Sequence, residues 1–339
     1  MRSLVEFERA TLAHRPTALE PMPNISGDLG GPDVWVKRDD CTGLGMGGNK
    51  ARQLEFYFGD ALARGADTVL ITGAVQSNYV RATAAAAAKL GMGCEIQLEE
   101  RVKGMDEMYR RSGNVLLDQL FGARLHSYPE GEDETGADAE LDAIAERLRG
   151  QGRSPYVIYL SEGHRPLGAL GYVEAAREIL EQAAILGADF DAIVVPSGSG
   201  ATHAGLLVGL RAAGSEVPVH GISVRRDAKS QAERIFRTAR TTGEELLGVA
   251  DLVDEADVVV HDDWLAPGYG HPSEDTLEAI RIAAQREGLL LDPVYSGKAF
   301  AGLVGLVRRG DLRSHATVLF IHTGGTPALF GYANLLGGI

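Results

Sequence analysis

The chain of 339 residues is 45% hydrophobic and carries 47 acidic against 33 basic side chains, for a net charge of −14. That length supports two ordinary domains with sizeable cores, and that charge repels a phosphate backbone over most of the surface, which argues against a nucleic-acid partner. No apolar run approaches the ~20 residues that span a bilayer, and MRSLVEFERATLAHRP is interrupted by Glu6, Glu8 and Arg9 where a secretory leader needs an apolar centre.

Two cysteines, Cys41 and Cys94, make no disulfide framework and suit a reducing compartment, so the expectation is a cytoplasmic protein without a membrane partner. Glycine, at 43 residues, is about twice its usual share of roughly 7%. It falls in short clusters between apolar runs, as tight strand-to-helix turns require.

In chain order, GLGMGGNKARQLEF (43–56) is a glycine loop that meets a helix beginning at Ala51, with Lys50 at the junction. DTVLITGA (67–74) reads as a buried strand, RATAAAAAKLG (81–91) as a helix ending at Gly91, GCEIQLEE (93–100) as a strand and NVLLDQLFG (114–122) as a helix. EGEDETGADAE (130–140) is expected to be a solvated acidic loop before the helix LDAIAERLRG. PYVIYL (155–160), DAIVVPSG (191–198), VPVHGISV (217–224) and TVLFIHTGG (317–325) read as strands. GYVEAAREILEQA (171–183), THAGLLVGLRAAG (202–214), EDTLEAIRIAAQREG (274–288) and AFAGLVGLVRRG (299–310) read as helices. This alternation predicts an α/β protein with open, mostly parallel twisted sheets and helices on both faces.

Ligands in such sheets gather where strands end and helices begin. PSGSGATHAG (196–205) would turn the N–H groups of Gly198, Ser199, Gly200, Ala201 and Thr202 towards one point at a helix start, which suits a phosphate; a glycine turn made only for close packing is the plain alternative. A P-loop is excluded, because Asn49 separates Gly48 from Lys50 and Ala51 stands where a magnesium-binding hydroxyl is needed. A dinucleotide fingerprint is excluded by His203 in the place of its third glycine. A sugar or nucleotide kinase, which needs an ATP loop and magnesium carboxylates, is disfavoured by the failed P-loop match. A phosphate cup and a distant lysine together suggest pyridoxal phosphate, which needs an amine for its aldehyde and partners for its ring. Gln76, Ser77 and Asn78 stand at another helix start, where a substrate carboxylate or ring oxygen could be held, Tyr295 offers a ring for stacking, and Thr323 offers a hydroxyl at a strand end.

KRDD-(x7)-GGNKARQLEF (37–56), GAVQSN (73–78), SGSGATHAGL (197–206), APGYG (266–270), LDPVYSGKA (291–299) and HTGGTPALF (322–330) together resemble the D-cysteine desulfhydrase and 1-aminocyclopropane-1-carboxylate (ACC) deaminase family, in order, from about residue 9 to 332. The resemblance implies the pyridoxal-phosphate fold of the tryptophan-synthase-β type (fold type II), with a smaller domain of residues 51–165 inserted in a larger one formed by 1–50 and 166–339, and a homodimer. It implies that Lys50 bonds the cofactor aldehyde, that residues 198–202 hold the phosphate, that Asn78 bonds the ring's 3-oxygen and that Tyr295 lies against the ring. Ser77 and Tyr269 match active-site residues near the substrate.

Where ACC deaminases carry a glutamate for the pyridine nitrogen, this chain has Ser296; Thr323 matches the threonine of sulfur-eliminating relatives. A hydroxyl leaves a weaker electron sink than a carboxylate, enough for β-elimination of a good leaving group. The resemblance therefore implies a carbon–sulfur lyase or deaminase acting on a small β-substituted amino acid, like D-cysteine desulfhydrase or L-cysteate sulfo-lyase. ACC deaminase, a serine-type ammonia-lyase and a non-enzymatic pyridoxal-phosphate or phosphometabolite binder are the alternatives. Two departures bear on substrate: Tyr79 stands where relatives commonly have histidine, and LSEGHRPLGALGY (160–172) adds Glu162, His164 and Arg165. Arg165 is expected either to grip an anionic substrate group or to pair with Glu162. HDDW (261–264) reads as structural rather than metal-binding, and KRDD (37–40) as scaffolding and exposed charge.

Overall fold

The computed structural model describes residues 1–336, and its core is two sheets. The larger has the order β1-β2-β10-β7-β8-β9, formed by β1 (Leu19–Pro21), β2 (Asp33–Lys37), β7 (Ala192–Ser197), β8 (Val219–Ser223), β9 (Val258–His261) and β10 (Thr317–Ile321). The smaller has the order β5-β4-β3-β6, formed by β3 (Thr68–Ala74), β4 (Gly93–Glu99), β5 (Arg124–Tyr128) and β6 (Pro155–Ile158). Every pairing is parallel except β1 with β2. The α/β class and mostly parallel sheets predicted from the alternation are present.

The central strands β3 and β7 are buried along their whole length and mostly apolar, because helices cover both of their faces. Every residue of β3 and β7 is buried, with β3 in register against β4 (Val69 opposite Cys94) and β10 against β7 (Leu319 opposite Ile193). The strands absent from the sequence reading, β1, β2, β5 and β9, flank these centres or form edges; β5 (RLHSY) has no fully buried residue. The acidic stretch 130–140 is a correction. Asp133 accepts a hydrogen bond from the Gly136 N–H (2.8 Å), and the helix Glu134–Gly150 starts at once, so only 130–133 remain as loop.

Four strand ends carry the chain towards one place. β3 runs into Ser77, which caps the helix Asn78–Leu90; β4 runs into Arg101; β7 runs into the glycine turn before the helix Ala201–Ala212; β10 runs into Thr323. Among the described residues no helix is long and apolar enough to cross a membrane.

Candidate active site

Lys50 is the first residue of the helix Lys50–Ala63, and the next turn of that helix is anchored in the core. Arg52 is fully buried, donating to Asp39 Oδ1 (2.9 Å) and Oδ2 (3.0 Å) and to Glu178 Oε1 (2.8 Å) and Oε2 (2.9 Å). KRDD is therefore less exposed than expected: Lys37 and Asp39 are buried, and Lys37 donates to Glu178. Before the helix, Gly47 has φ +70° and lies so close to the Asp40 carbonyl that a Cβ would sit 1.9 Å from it. The glycines of this loop let it pack against backbone, rather than wrap an anion.

The Lys50 amine enters a cavity walled by both sheets' strand ends and lies 4.7 Å from the centre of the Tyr79 ring. Burial without an acidic partner lowers its pKa to about 8. Gly198, Ser199, Gly200 and Thr202 line the same cavity, and Ala201 faces the adjoining one. Gly200, at φ +111°, makes the turn into the helix, and a Cβ on Gly198 would come within 3.2 Å of the Tyr295 ring. Thr202 Oγ1 accepts from Asn49 Nδ2 (2.8 Å) and Gln53 Nε2 (2.7 Å), so its own hydroxyl proton is left to donate. Gln53 supports this cup directly, a role the sequence reading did not give it.

Ser77, Asn78, Tyr79, Tyr269, Tyr295 and Thr323 also line the cavity. Ser77 Oγ accepts from the N–H groups of Tyr79 (3.2 Å) and Val80 (3.4 Å). Asn78 Oδ1 accepts from Asn114 Nδ2 (3.0 Å). The Tyr269 and Tyr295 hydroxyls are 2.6 Å apart, and burial raises both phenol pKa values, so the pair stays protonated. Ser296 is buried away from the cavity, its one hydroxyl proton facing Asp292 Oδ2 (2.8 Å) with the Gly324 carbonyl close by (3.1 Å). His203 lines the cavity and burial lowers its pKa to about 3, which keeps it neutral.

Two expected substrate residues stand elsewhere. Gln76 is used up in the core: its Nε2 donates to the carbonyls of Tyr109 (2.5 Å) and Ser112 (2.8 Å), and its Oε1 accepts from the Asn114 N–H (2.9 Å). Arg165 lines the adjoining clefts and not this cavity. Its expected pairing with Glu162 is also absent, because Glu162 accepts from Arg237 Nε (2.7 Å) and lies 3.6 Å from Arg234.

The cationic wall comes instead from Arg101, Arg225 and Arg234, which sequence reasoning missed. Arg225 Nη1 donates to Glu134 Oε1 (2.9 Å) and Arg234 Nη1 to Glu134 Oε2 (3.2 Å), while Arg226 Nη2 donates to Glu134 Oε1 (2.6 Å). Burial alone would raise the Glu134 pKa; the arginines outweigh it and hold the carboxyl below its ordinary value. Arg234 further donates to the Ser199 carbonyl (2.9 Å), so this network braces the cup. Arg101 is gripped by Glu99 through Nε and Nη2 (both 2.8 Å), which leaves its Nη1 without a carboxylate partner.

A helix-start cup with a donor hydroxyl, a partly desolvated amine and flanking phenols is a donor set that fits pyridoxal phosphate, and the glycines leave room for it. Residues 10–324 match the family model of pyridoxal-phosphate dependent enzymes, and the chain belongs to that family. Within it, the chain is 43% identical over 332 residues to a D-cysteine desulfhydrase of Klebsiella pneumoniae, covering 98% of each chain, and 44% identical over 333 residues to one of Salmonella choleraesuis, again covering 98% of each. A solved structure of an ACC deaminase homologue superposes with a TM-score of 0.87 at 40% identity, covering 99% of this chain and 97% of that one. These matches bear out the resemblance read from the six motifs.

Proposed function

We propose that the chain is a pyridoxal-phosphate dependent lyase that removes a β-substituent from a small amino acid, with D-cysteine as the reference substrate and pyruvate, ammonia and hydrogen sulfide as products. The observation that carries this reading is the Lys50 amine, partly desolvated, in one cavity with the helix-start cup. When bound, the cofactor supplies an aldehyde for an amine and an electron sink for the bond electrons of the substrate Cα–H. Lys50 would hold that aldehyde between turnovers; residues 198–202 would hold the phosphate, and Thr323 would face the ring nitrogen.

Lys50 Nζ, with its pKa lowered by burial to about 8, is the base that takes the Cα proton. Ser77 and the start of the helix Asn78–Leu90 orient the substrate carboxylate with hydroxyl and main-chain donors. The Tyr269–Tyr295 pair, kept protonated, stands ready to give a proton to the departing sulfur. Ring opening of ACC is disfavoured because Ser296 is engaged with Asp292 and Gly324, leaving Thr323 as the neutral group facing the cavity.

Arg101 favours a second reading, in which the β-substituent is itself anionic, such as a sulfonate. Arg101 lines the cavity, and Glu99 engages its Nε and Nη2 but not its Nη1. The test is borohydride reduction of the cofactor-loaded protein and mapping of the modified lysine, followed by release of 2-oxo acid from D-cysteine, L-cysteate, both serines, β-chloroalanine and ACC. Labelling away from Lys50 sinks the assignment of the amine, and turnover of ACC alone replaces elimination by ring opening.

The two sheets support a division into a smaller domain, 51–165, and a larger one, 1–50 with 166–339. Exposed Met108, Leu116, Leu120 and Phe330, on helices that pack together, support a homodimer through that face. Light scattering at about the mass of one 36.1 kDa chain would exclude it. The free thiols Cys41 and Cys94 support a cytoplasmic setting, which fractionation of the source cells would test.

A further inference from the structure

Asn114 does not line the cavity, yet it is fully buried and all of its side-chain hydrogen-bonding groups are engaged by groups that lead to it. Its Nδ2 donates to the Gln76 carbonyl (3.0 Å) and to Asn78 Oδ1 (3.0 Å), and its Oδ1 accepts from Arg81 Nε (3.2 Å). A guanidinium only donates and a main-chain carbonyl only accepts, so the Asn114 amide has one permitted orientation. Its backbone N–H is held as well, by Gln76 Oε1 (2.9 Å).

That orientation propagates. Because Asn114 offers Nδ2 to Asn78, Asn78 must turn Oδ1 towards it, and the Asn78 Nδ2 is then the end available to the cavity. Arg81, which is also buried, reaches the other way: its Nη1 donates to the carbonyls of Gly45 and Gly47 (2.9 Å for Gly47), in the loop that delivers Lys50. We propose that Asn114, oriented by Arg81, is a positioning residue that fixes Asn78 as a hydrogen-bond donor to the ring oxygen of the bound cofactor, and that Arg81 couples this polarity to the loop carrying Lys50. The inference rests on the proposed presence of pyridoxal phosphate in this cavity, and it assigns work to two side chains outside its wall.

The test compares wild type, Asn114→Asp, Asn114→Ser, Asn78→Ala and the double variant Asn78→Ala/Asn114→Asp. The readouts are the visible band of the cofactor-loaded protein and the pyridoxal phosphate dissociation constant of the stripped protein, with far-UV circular dichroism as the check on folding. Asp keeps an acceptor for Arg81 but presents an acceptor to Asn78 as well, which reverses the Asn78 amide. The expected result is a shifted band and a dissociation constant raised about tenfold, as for one buried hydrogen bond turned unfavourable. In the Asn78→Ala background the Asp substitution is expected to add nothing, which separates action through Asn78 from general loosening.

Asn114→Ser, whose Oγ stands where the amide Cγ does, reaches neither Arg81 nor Asn78 and so frees the Asn78 amide without reversing it; it should shift the band in the same direction with a smaller loss, and it keeps the test open if the Asp variant does not fold. Wild-type band and affinity in folded Asn114→Ser or Asn114→Asp overturns the inference. Equal effects of Asn114→Asp with and without Asn78 also overturn it. A wild-type protein that gives no band with pyridoxal phosphate fails the underlying reading, a result distinct from either.

Discussion

The cavity has two kinds of wall. One is neutral and made where strands become helices: the glycine turn before Ala201, Thr202, the Ser77 cap, Asn78 and Thr323. The other is charged, with Arg101 set by Glu99 and with Arg225 and Arg234 set by Glu134. The neutral wall uses main-chain donors and hydroxyls that keep the same direction and charge across the working pH range, which suits a resident cofactor. In the charged wall every guanidinium nitrogen of Arg225 and Arg234, and two of the three on Arg101, donate to the protein's own carboxylates or carbonyls, so Arg101 Nη1 is the nitrogen left to discriminate substrates. On the proposed function, family chemistry belongs to the first wall and choice among family members to the second.

The largest test of that contrast is Arg101→Leu. If Arg101 selects an anionic β-substituent, kcat/KM for L-cysteate should fall about 100-fold, the loss of a charge-assisted hydrogen bond, while D-cysteine loses only a few-fold. Arg165→Ala, outside the cavity, should leave both substrates near wild type. Equal losses on the two substrates in Arg101→Leu would make the charged wall a brace only. The neutral wall is tested by Thr202→Val, which removes a donor to the cup and the acceptor shared by Asn49 and Gln53. Cofactor affinity should drop about tenfold with the relative use of D-cysteine and L-cysteate unchanged. A changed preference between them would merge the two walls into one functional unit.

The walls also differ in how far the sequence announces them. Lys50, Asn78 and residues 198–202 stand beside glycines and polar caps at the ends of apolar runs, and parallel sheets bring such ends together. The central strands β3 and β7 are legible because they are wholly buried and mostly apolar. The charged wall comes from residues 99 to 234, and its keystone, Glu134, lies in an acidic run whose composition says solvent. What moves Glu134 into the wall is Asp133 capping the helix just before it and three arginines meeting it, Arg225 and Arg226 from the loop after β8 and Arg234 from the helix Ala228–Thr241 that follows. Nothing local encodes that meeting. Gln76 shows the converse error: a polar residue beside two cavity residues, drawn off by the carbonyls of Tyr109 and Ser112. The edge strands β5 and β9 were missed because half-buried strands carry weak apolar patterns.

The smallest expected effect concerns Lys50, which sits between the walls. Its pKa of about 8 comes from burial alone, with no carboxylate to restore the charge. In the cofactor-stripped protein, acetylation of Lys50 by a small uncharged reagent, followed by peptide mass spectrometry, should rise about fivefold from pH 7 to pH 8 and level off above pH 9; an exposed lysine would keep rising past pH 10. Stability carries the same sign. The folded-state pKa lies below the ordinary 10.5, so the unfolded chain binds more protons between about pH 8 and 10.5, and stability rises with pH through that window. Lys50→Met should therefore raise the melting temperature of the stripped protein at pH 7, by an increment that shrinks as pH approaches 10.5. If the increment is flat with pH, a carboxylate of the charged wall reaches the amine in solution, and the electrostatic separation of the two walls fails at the residue proposed to do the chemistry.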